Sequence, residues 1–148
     1  MRLGRFAFLT GGLAAACAPG PAARPLAPMP FEQQTVRDVI TGALAADAAR
    51  EDADSLYLIG AIVVADGRSR SGAPRFAGVR TGGRATITGS ALEITPYLAW
   101  ASVDYRWTAG EGGTVVVGRA TFVLERMGGT WRIKHAHSSA VGTGDGGR

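Results

Sequence analysis

The segment Gly118–Ser139, Gly-Arg-Ala-Thr-Phe-Val-Leu-Glu-Arg-Met-Gly-Gly-Thr-Trp-Arg-Ile-Lys-His-Ala-His-Ser-Ser, constrains the fold more than any other stretch. Two runs rich in β-branched and aromatic residues flank Met127-Gly128-Gly129-Thr130. Paired glycines between such runs favour a tight hairpin, because the turn that suits two twisted antiparallel strands needs positive φ at both central positions. The second run places His135 and His137 two residues apart, on one face of a strand. Strict alternation adds Trp131 and Ile133 to that face and leaves Arg132 and Lys134 on the other. The face of the histidines is therefore expected to line the domain interior.

The rest of the chain supplies a helix and more strands. Val36, Val39, Ile40, Ala43 and Leu44 recur at three- and four-residue spacing, with Glu32, Arg37, Asp38 and Asp47 at the other positions. This predicts an amphipathic helix from Phe31 to about Arg50. Gly42 inside it weakens it by ~1 kcal/mol relative to alanine. A second short helix is expected from Asp52 to Tyr57, with Asp52 and Asp54 suited to its positive N-terminal end. Ile59–Ala65 reads as a strand ending in an Asp66-Gly67 turn. Residues 67–83 read as a loop anchored by Phe76 and Val79. Strands are expected over Arg84–Thr95, Tyr97–Trp107, Thr114–Arg126 and Thr130–Ser139. Helices first and hairpins later predict an α+β domain over residues 31–140, its curved antiparallel sheet wrapped around the N-terminal helices. Residues 141–148 are expected to form a disordered glycine-rich tail.

The N-terminal segment has a different character. Arg2 and Arg5 form a basic start, and Phe6–Ala16 is an apolar stretch too short to span a bilayer. Ala14, Ala15 and Ala16 then precede Cys17, the only cysteine, so no internal disulfide can staple the fold. Residues 1–17 resemble a bacterial lipoprotein signal with Cys17 as the lipid acceptor, although Ala14 occupies the usual leucine position. An ordinary cleaved signal peptide is the alternative. Pro19, Pro21, Pro25, Pro28 and Pro30 make residues 18–30 an extended tether. An exported envelope protein, held at the membrane only through a lipid on Cys17, is the resulting expectation; a periplasmic or secreted protein is the alternative. Arg2 and Arg5 taken from 16 basic residues leave 14 against 12 acidic ones, with no dense basic run. Nucleic acid is therefore not an expected partner.

The element order and the terminal block resemble the superfamily of nuclear transport factor 2, ketosteroid isomerase and the SnoaL-like polyketide cyclases. The likeness is greatest to SnoaL-like proteins related to the association domain of calmodulin-dependent kinase. It rests on Phe122–Arg126, Gly128-Gly129, Trp131–Ile133 and His135–Ser139, and on the segment from Leu98 to Trp107. The resemblance implies a cone-shaped sheet, a pocket in the cone, and a homodimer formed through the open sheet face. It does not imply one activity, since this fold hosts enzymes, binders and assembly domains.

Candidate site residues follow. His135 and His137 are candidate bases, with Tyr57, Asp66 and Asp104 as weaker catalytic candidates. A zinc site built on the two histidines would need a third ligand such as Asp66, Asp104 or Glu93. No spacing selects one, so neither a metal nor a cofactor is expected. Trp100, Tyr105, Arg119 and Trp131 are candidate ligand contacts. Alternation puts Trp100 and Asp104 on one strand face and Tyr105 and Trp107 on the other; Arg119 has a simpler use in pairing with Glu125 or Asp104. No nucleophile elbow, P-loop or Cys–His pair occurs. Two readings follow: an exported domain binding a small molecule or protein partner in its cone, or an isomerase, cyclase or dehydratase with a histidine base.

Overall fold

The computed structural model describes residues 30–110 and 113–144; the leader, Cys17, most of the tether and residues 145–148 lie outside them. One helix, α1 (Pro30–Ala49), precedes six strands: β1 (Tyr57–Ala65), β2 (Arg68–Arg70), β3 (Arg84–Ile94), β4 (Leu98–Thr108), β5 (Val115–Met127) and β6 (Thr130–Gly144). They form one curved, unclosed sheet in the order β2-β1-β6-β5-β4-β3. The α+β reading holds, with three corrections.

The expected second helix is only a 3-10 turn at Asp54–Leu56, because Tyr57 already enters the sheet beside Ile133. The sheet is not wholly antiparallel, since β1 runs parallel to β6 after the chain crosses from one to the other. The strand assigned to Thr130–Ser139 continues to Gly144, paired along β5 as far as Val115, so regular structure extends past residue 140.

Local chemistry explains the turns. Gly128 and Gly129 both have positive φ and join Met127 to its partner Thr130, as two-residue hairpins require. Asp66 and Gly67 do the same between β1 and β2.

The core lies between α1 and the concave face. Val36, Ile40, Ala43 and Leu44 from α1 are buried against inward residues of β4 (Val103, Tyr105, Trp107), β5 (Val116, Phe122, Leu124) and β6 (Trp131, Ile133, Ala136). Each large apolar side chain removed from water stabilises the fold by about 1.5–3 kcal/mol. Arg126 pairs with Glu32 at 2.6 Å and stands 5.8 Å from the Trp131 ring, tying the start of α1 to the last hairpin. Residues 71–83 cover the rest of the concave face, with Phe76 and Val79 buried as the expected anchors and Ala77 buried between them.

The Tyr105 ring lies over Gly118, its partner on β5, and a Cβ at Gly118 would stand 2.3 Å from the ring. Gly118→Ala should therefore force the ring aside and lower stability by roughly 1–3 kcal/mol in a denaturant titration.

Candidate functional site

One extra residue decides where the histidines point. Leu124 pairs with Ile133 and its neighbour Val123 pairs with His135, so Lys134 has no partner of its own. This is a β-bulge, and a one-residue slip exchanges the faces of everything beyond it. Trp131 and Ile133 face the core as expected, but past Lys134 the inward residues are Ala136 and Ser138. His135 and His137 lie on the outer face instead, half-buried and exposed respectively. Their expected position inside the cone is corrected on that ground. Neither imidazole hydrogen-bonds to another described residue, and the described residues hold no cluster of metal-ligating side chains.

The outer face has a regular grain. Ile62, His135, Val123, Trp100 and Glu93 stand in register across β1, β6, β5, β4 and β3. Val64, His137, Thr121 and Ser102 form the next row. Trp100 is 44% exposed and Ile62 57%. The Arg119 Nε donates to Asp104 Oδ1 at 2.7 Å, which favours the charged guanidinium. Arg119 and Asp104 are thus partners of each other, and neither enters the cone.

Three inner polar groups converge on a single loop. Asp47, only 2% exposed, accepts hydrogen bonds on Oδ2 from the backbone N–H of Arg75 at 2.5 Å and of Phe76 at 2.8 Å. Ser138, 1% exposed, accepts from the Ala77 N–H at 3.0 Å. The Tyr105 hydroxyl donates to the Ala77 carbonyl at 2.5 Å. Helix α1, β6 and β4 thus each contribute one buried polar group, and residues 75–77 occupy all three. Burial pushes the Tyr105 hydroxyl up to about 12. Burial also raises the Asp47 carboxyl above its ordinary value, with the two backbone donors opposing. Asp47 was expected on the polar side of α1. Its spacing of seven from Ile40 and three from Leu44 nevertheless continues the apolar stripe, a signal the sequence did carry.

Tyr57 is buried, and its hydroxyl has no partner among the described residues. The Arg75 guanidinium sits 4.3 Å from the centre of its ring, a cation–π contact rather than a hydrogen bond, and is ion-paired with Asp54. Burial first, with Arg75 opposing, pushes the Tyr57 hydroxyl up to about 12. These groups border an open cleft of about 320 Å³ that also includes Arg70 and Ser71. Asp66 is exposed and accepts from the Ala140 N–H at 3.1 Å, closing the sheet beside β6. Tyr57, Asp66, Asp104 and the histidines are therefore not brought together. Tyr105 and Trp131 are core residues rather than the walls of an open pocket.

Open space of another kind remains beneath α1. A cleft of about 180 Å³ lies between the helix and β3–β4, walled by Ile40, Ile87, Leu92, Ala101 and Val103. The exposed Gln34, Arg37, Thr41 and Ser90 form its rim.

The family model for the SnoaL-like domain matches residues 61–143, from the middle of β1 almost to the end of β6. The chain belongs to the SnoaL-like family. No curated protein sequence matches it. Among solved structures, this SnoaL-like chain is similar to a presumed scytalone dehydratase from Novosphingobium aromaticivorans, with 12% identity, a TM-score of 0.61 and coverage of 78% of this chain and 87% of that one. A hexachlorocyclohexane dehydrochlorinase gives 13% identity, a TM-score of 0.60 and coverage of 77% and 88%. An NTF2-like protein of unknown function from Shewanella oneidensis gives 14%, 0.55, and coverage of 73% and 98%. At these identities the likeness is one of fold.

The Asp47 contact sets a pH test. A carboxyl whose folded pKa is raised adds stability that is fully present below its unfolded value, near 3.8, and is lost as pH rises through the folded value. Wild-type stability should therefore contain a component that grows as pH falls from neutrality towards that window. Asp47→Asn keeps an acceptor for both N–H groups and should abolish this component. Asp47→Ala leaves both donors unpaired and should cost roughly 1–3 kcal/mol for each at neutral pH. Urea titrations of the three proteins across the acid range would check both statements.

Proposed function

We propose that this SnoaL-like protein binds rather than converts its ligand. It takes a small, mainly apolar molecule in the cleft between α1 and β3–β4, and it pairs with a second copy through the outer sheet face. One observation carries the reading: Asp47, Ser138 and Tyr105 inside the cone are engaged by residues 75–77, while both imidazoles lie outside it. An isomerase, cyclase or dehydratase with a histidine base needs an imidazole in the pocket, and this arrangement supplies none. The dehydratase and dehydrochlorinase neighbours share the fold at 12% and 13% identity, too distant to bring their chemistry with them.

The cleft supports a ligand class. An apolar cavity of about 150 Å³ is large enough for a benzene-sized molecule. The cleft here holds about 180 Å³ and has Arg37 at its rim, which suits one aromatic or branched apolar group bearing a carboxylate. Titrating benzoate should give saturable NMR shifts at the Ala101 and Val103 amides, and Ala101→Leu, which fills the cleft, should remove them. Absence of saturable shifts with both benzoate and toluene would overturn the ligand proposal.

Export and envelope tethering complete the reading. They are supported by Arg2 and Arg5 ahead of the apolar Phe6–Ala16, by Cys17 after small residues, and by the proline-spaced segment that follows. Radiolabelled fatty acid should enter the wild-type chain and not Cys17→Ala; equal label in both would reject lipidation.

A further inference from the structure

A second cleft opens where β1 arches away from its neighbour. Tyr57 pairs with Ile133 on β6 and Ile62 pairs with His135, so Leu58–Ala61 stand opposite Lys134 alone. Four residues cannot lie flat against one, and the excess bends out of the ladder as a large bulge. Gly60 makes the bend with a φ of +77°, and Ile59 is fully exposed on it. The arch walls the open cleft of about 320 Å³ on one side. Two arginines meet the cleft from the other. Arg70 on β2 stands in register with the buried Val63 and so shares its face. Among the described residues Arg70 has no ion-pair partner. Arg75 is held at both ends: its backbone N–H donates to Asp47 Oδ2 at 2.5 Å, and its guanidinium stacks 4.3 Å from the centre of the Tyr57 ring.

We propose that this cleft is a binding site in its own right, for an organic anion with one carboxylate on a short aliphatic chain. It is separate from the cleft beneath α1, since β1 and β2 form it at one edge of the sheet while β3 and β4 wall the other cleft at the opposite edge. Arg70 and Arg75 against Asp54 leave one positive charge among the groups that line it, which suits a monoanion. Glu51 and Asp52 lie beside Arg50 in the adjoining opening and do not line this cleft. A carboxylate is also the group that Arg75 already takes. Asp54 engages one terminal nitrogen of the guanidinium, through a side chain that is 75% exposed. Such an exposed pair holds weakly, and the planar guanidinium keeps further donors. The ligand carboxylate takes those donors, with Arg70 as the second cation and Ser71 beside it. The Tyr57 ring is the platform for Arg75; its hydroxyl, closed off from solvent, is not a contact. Leu58, Ile59 and Val63 receive the chain. Because Arg75 is fixed before the ligand arrives, binding orders few side chains.

Heteronuclear NMR on the full chain carrying Cys17→Ser, with hexanoate as the probe, tests this. The expected result is a saturable shift of the Gly60 and Ser71 amides. Ala101→Leu, which fills the cleft beneath α1, should leave that shift in place. Hexanol, with the same chain and no charge, should give none. Arg70→Gln should weaken binding roughly tenfold, as loss of a charged hydrogen-bond donor does. Asp54→Asn frees Arg75 and should strengthen binding roughly two- to fivefold, the range of an exposed ion pair. A residue that merely held the fold would not raise affinity when changed. Absence of a saturable shift at Gly60 and Ser71 would overturn the proposal. So would equal shifts with hexanol, their loss in Ala101→Leu, or unchanged affinity in both Arg70→Gln and Asp54→Asn. Failure of benzoate and toluene at Ala101 and Val103 would overturn the cleft beneath α1 alone and leave this site standing.

Discussion

A single 20-residue helix cannot cover the concave face of a six-stranded sheet, and the rest of the structure follows from how that shortfall is met. Where a further helix was expected, the chain makes one 3-10 turn, and residues 71–83 return to complete the cover. An irregular segment inside a core carries backbone groups that need partners, and leaving them unpaired is costly. Asp47, Ser138 and Tyr105 meet that need for residues 75–77, while Phe76 and Val79 contribute the apolar packing. The buried Asp47 carboxylate is the price of using loop in place of helix, and the rise in its pKa records it.

The same contacts shape the functional reading. A cone with free polar groups over an open cavity is a natural place for acid–base chemistry. Here Asp47, Ser138 and Tyr105 face peptide N–H and C=O groups of the chain itself. Besides the open cleft at Tyr57 and Arg75, the small apolar cleft lies beneath α1 on one side and the Trp100–His135 strip on the other. Neither the cleft beneath α1 nor the strip sets an acid beside a histidine base inside a closed pocket.

The two surfaces also differ in what they demand of sequence. The cleft needs small or branched side chains at Ala101 and Val103, a condition met by many apolar sequences. The strip needs an aromatic residue at position 100, in register with His135 through Val123. Its chemistry depends on the exact pairing of four strands rather than on the composition of any one.

Much of the fold was legible from local chemistry. The Gly128-Gly129 hairpin, the α1 stripe, the anchors Phe76 and Val79, and the opposite facing of Trp100 and Tyr105 all rest on period and turn residues, which act over a few positions and can be read along the chain. The placement of the histidines was not legible. Whether a residue is accommodated as a bulge depends on the partner strand, and nothing around Lys134 announces that β5 will skip it. The Asp47 contacts reach 28 and 29 residues ahead, so the helix stripe marks Asp47 as buried without naming what it holds. The sequence by itself determined α1, the five longer strands, the Gly128-Gly129 hairpin and the family. Only the tertiary structure decided which face each histidine takes and what fills the cone, because strand register and loop burial are set by partners far away along the chain.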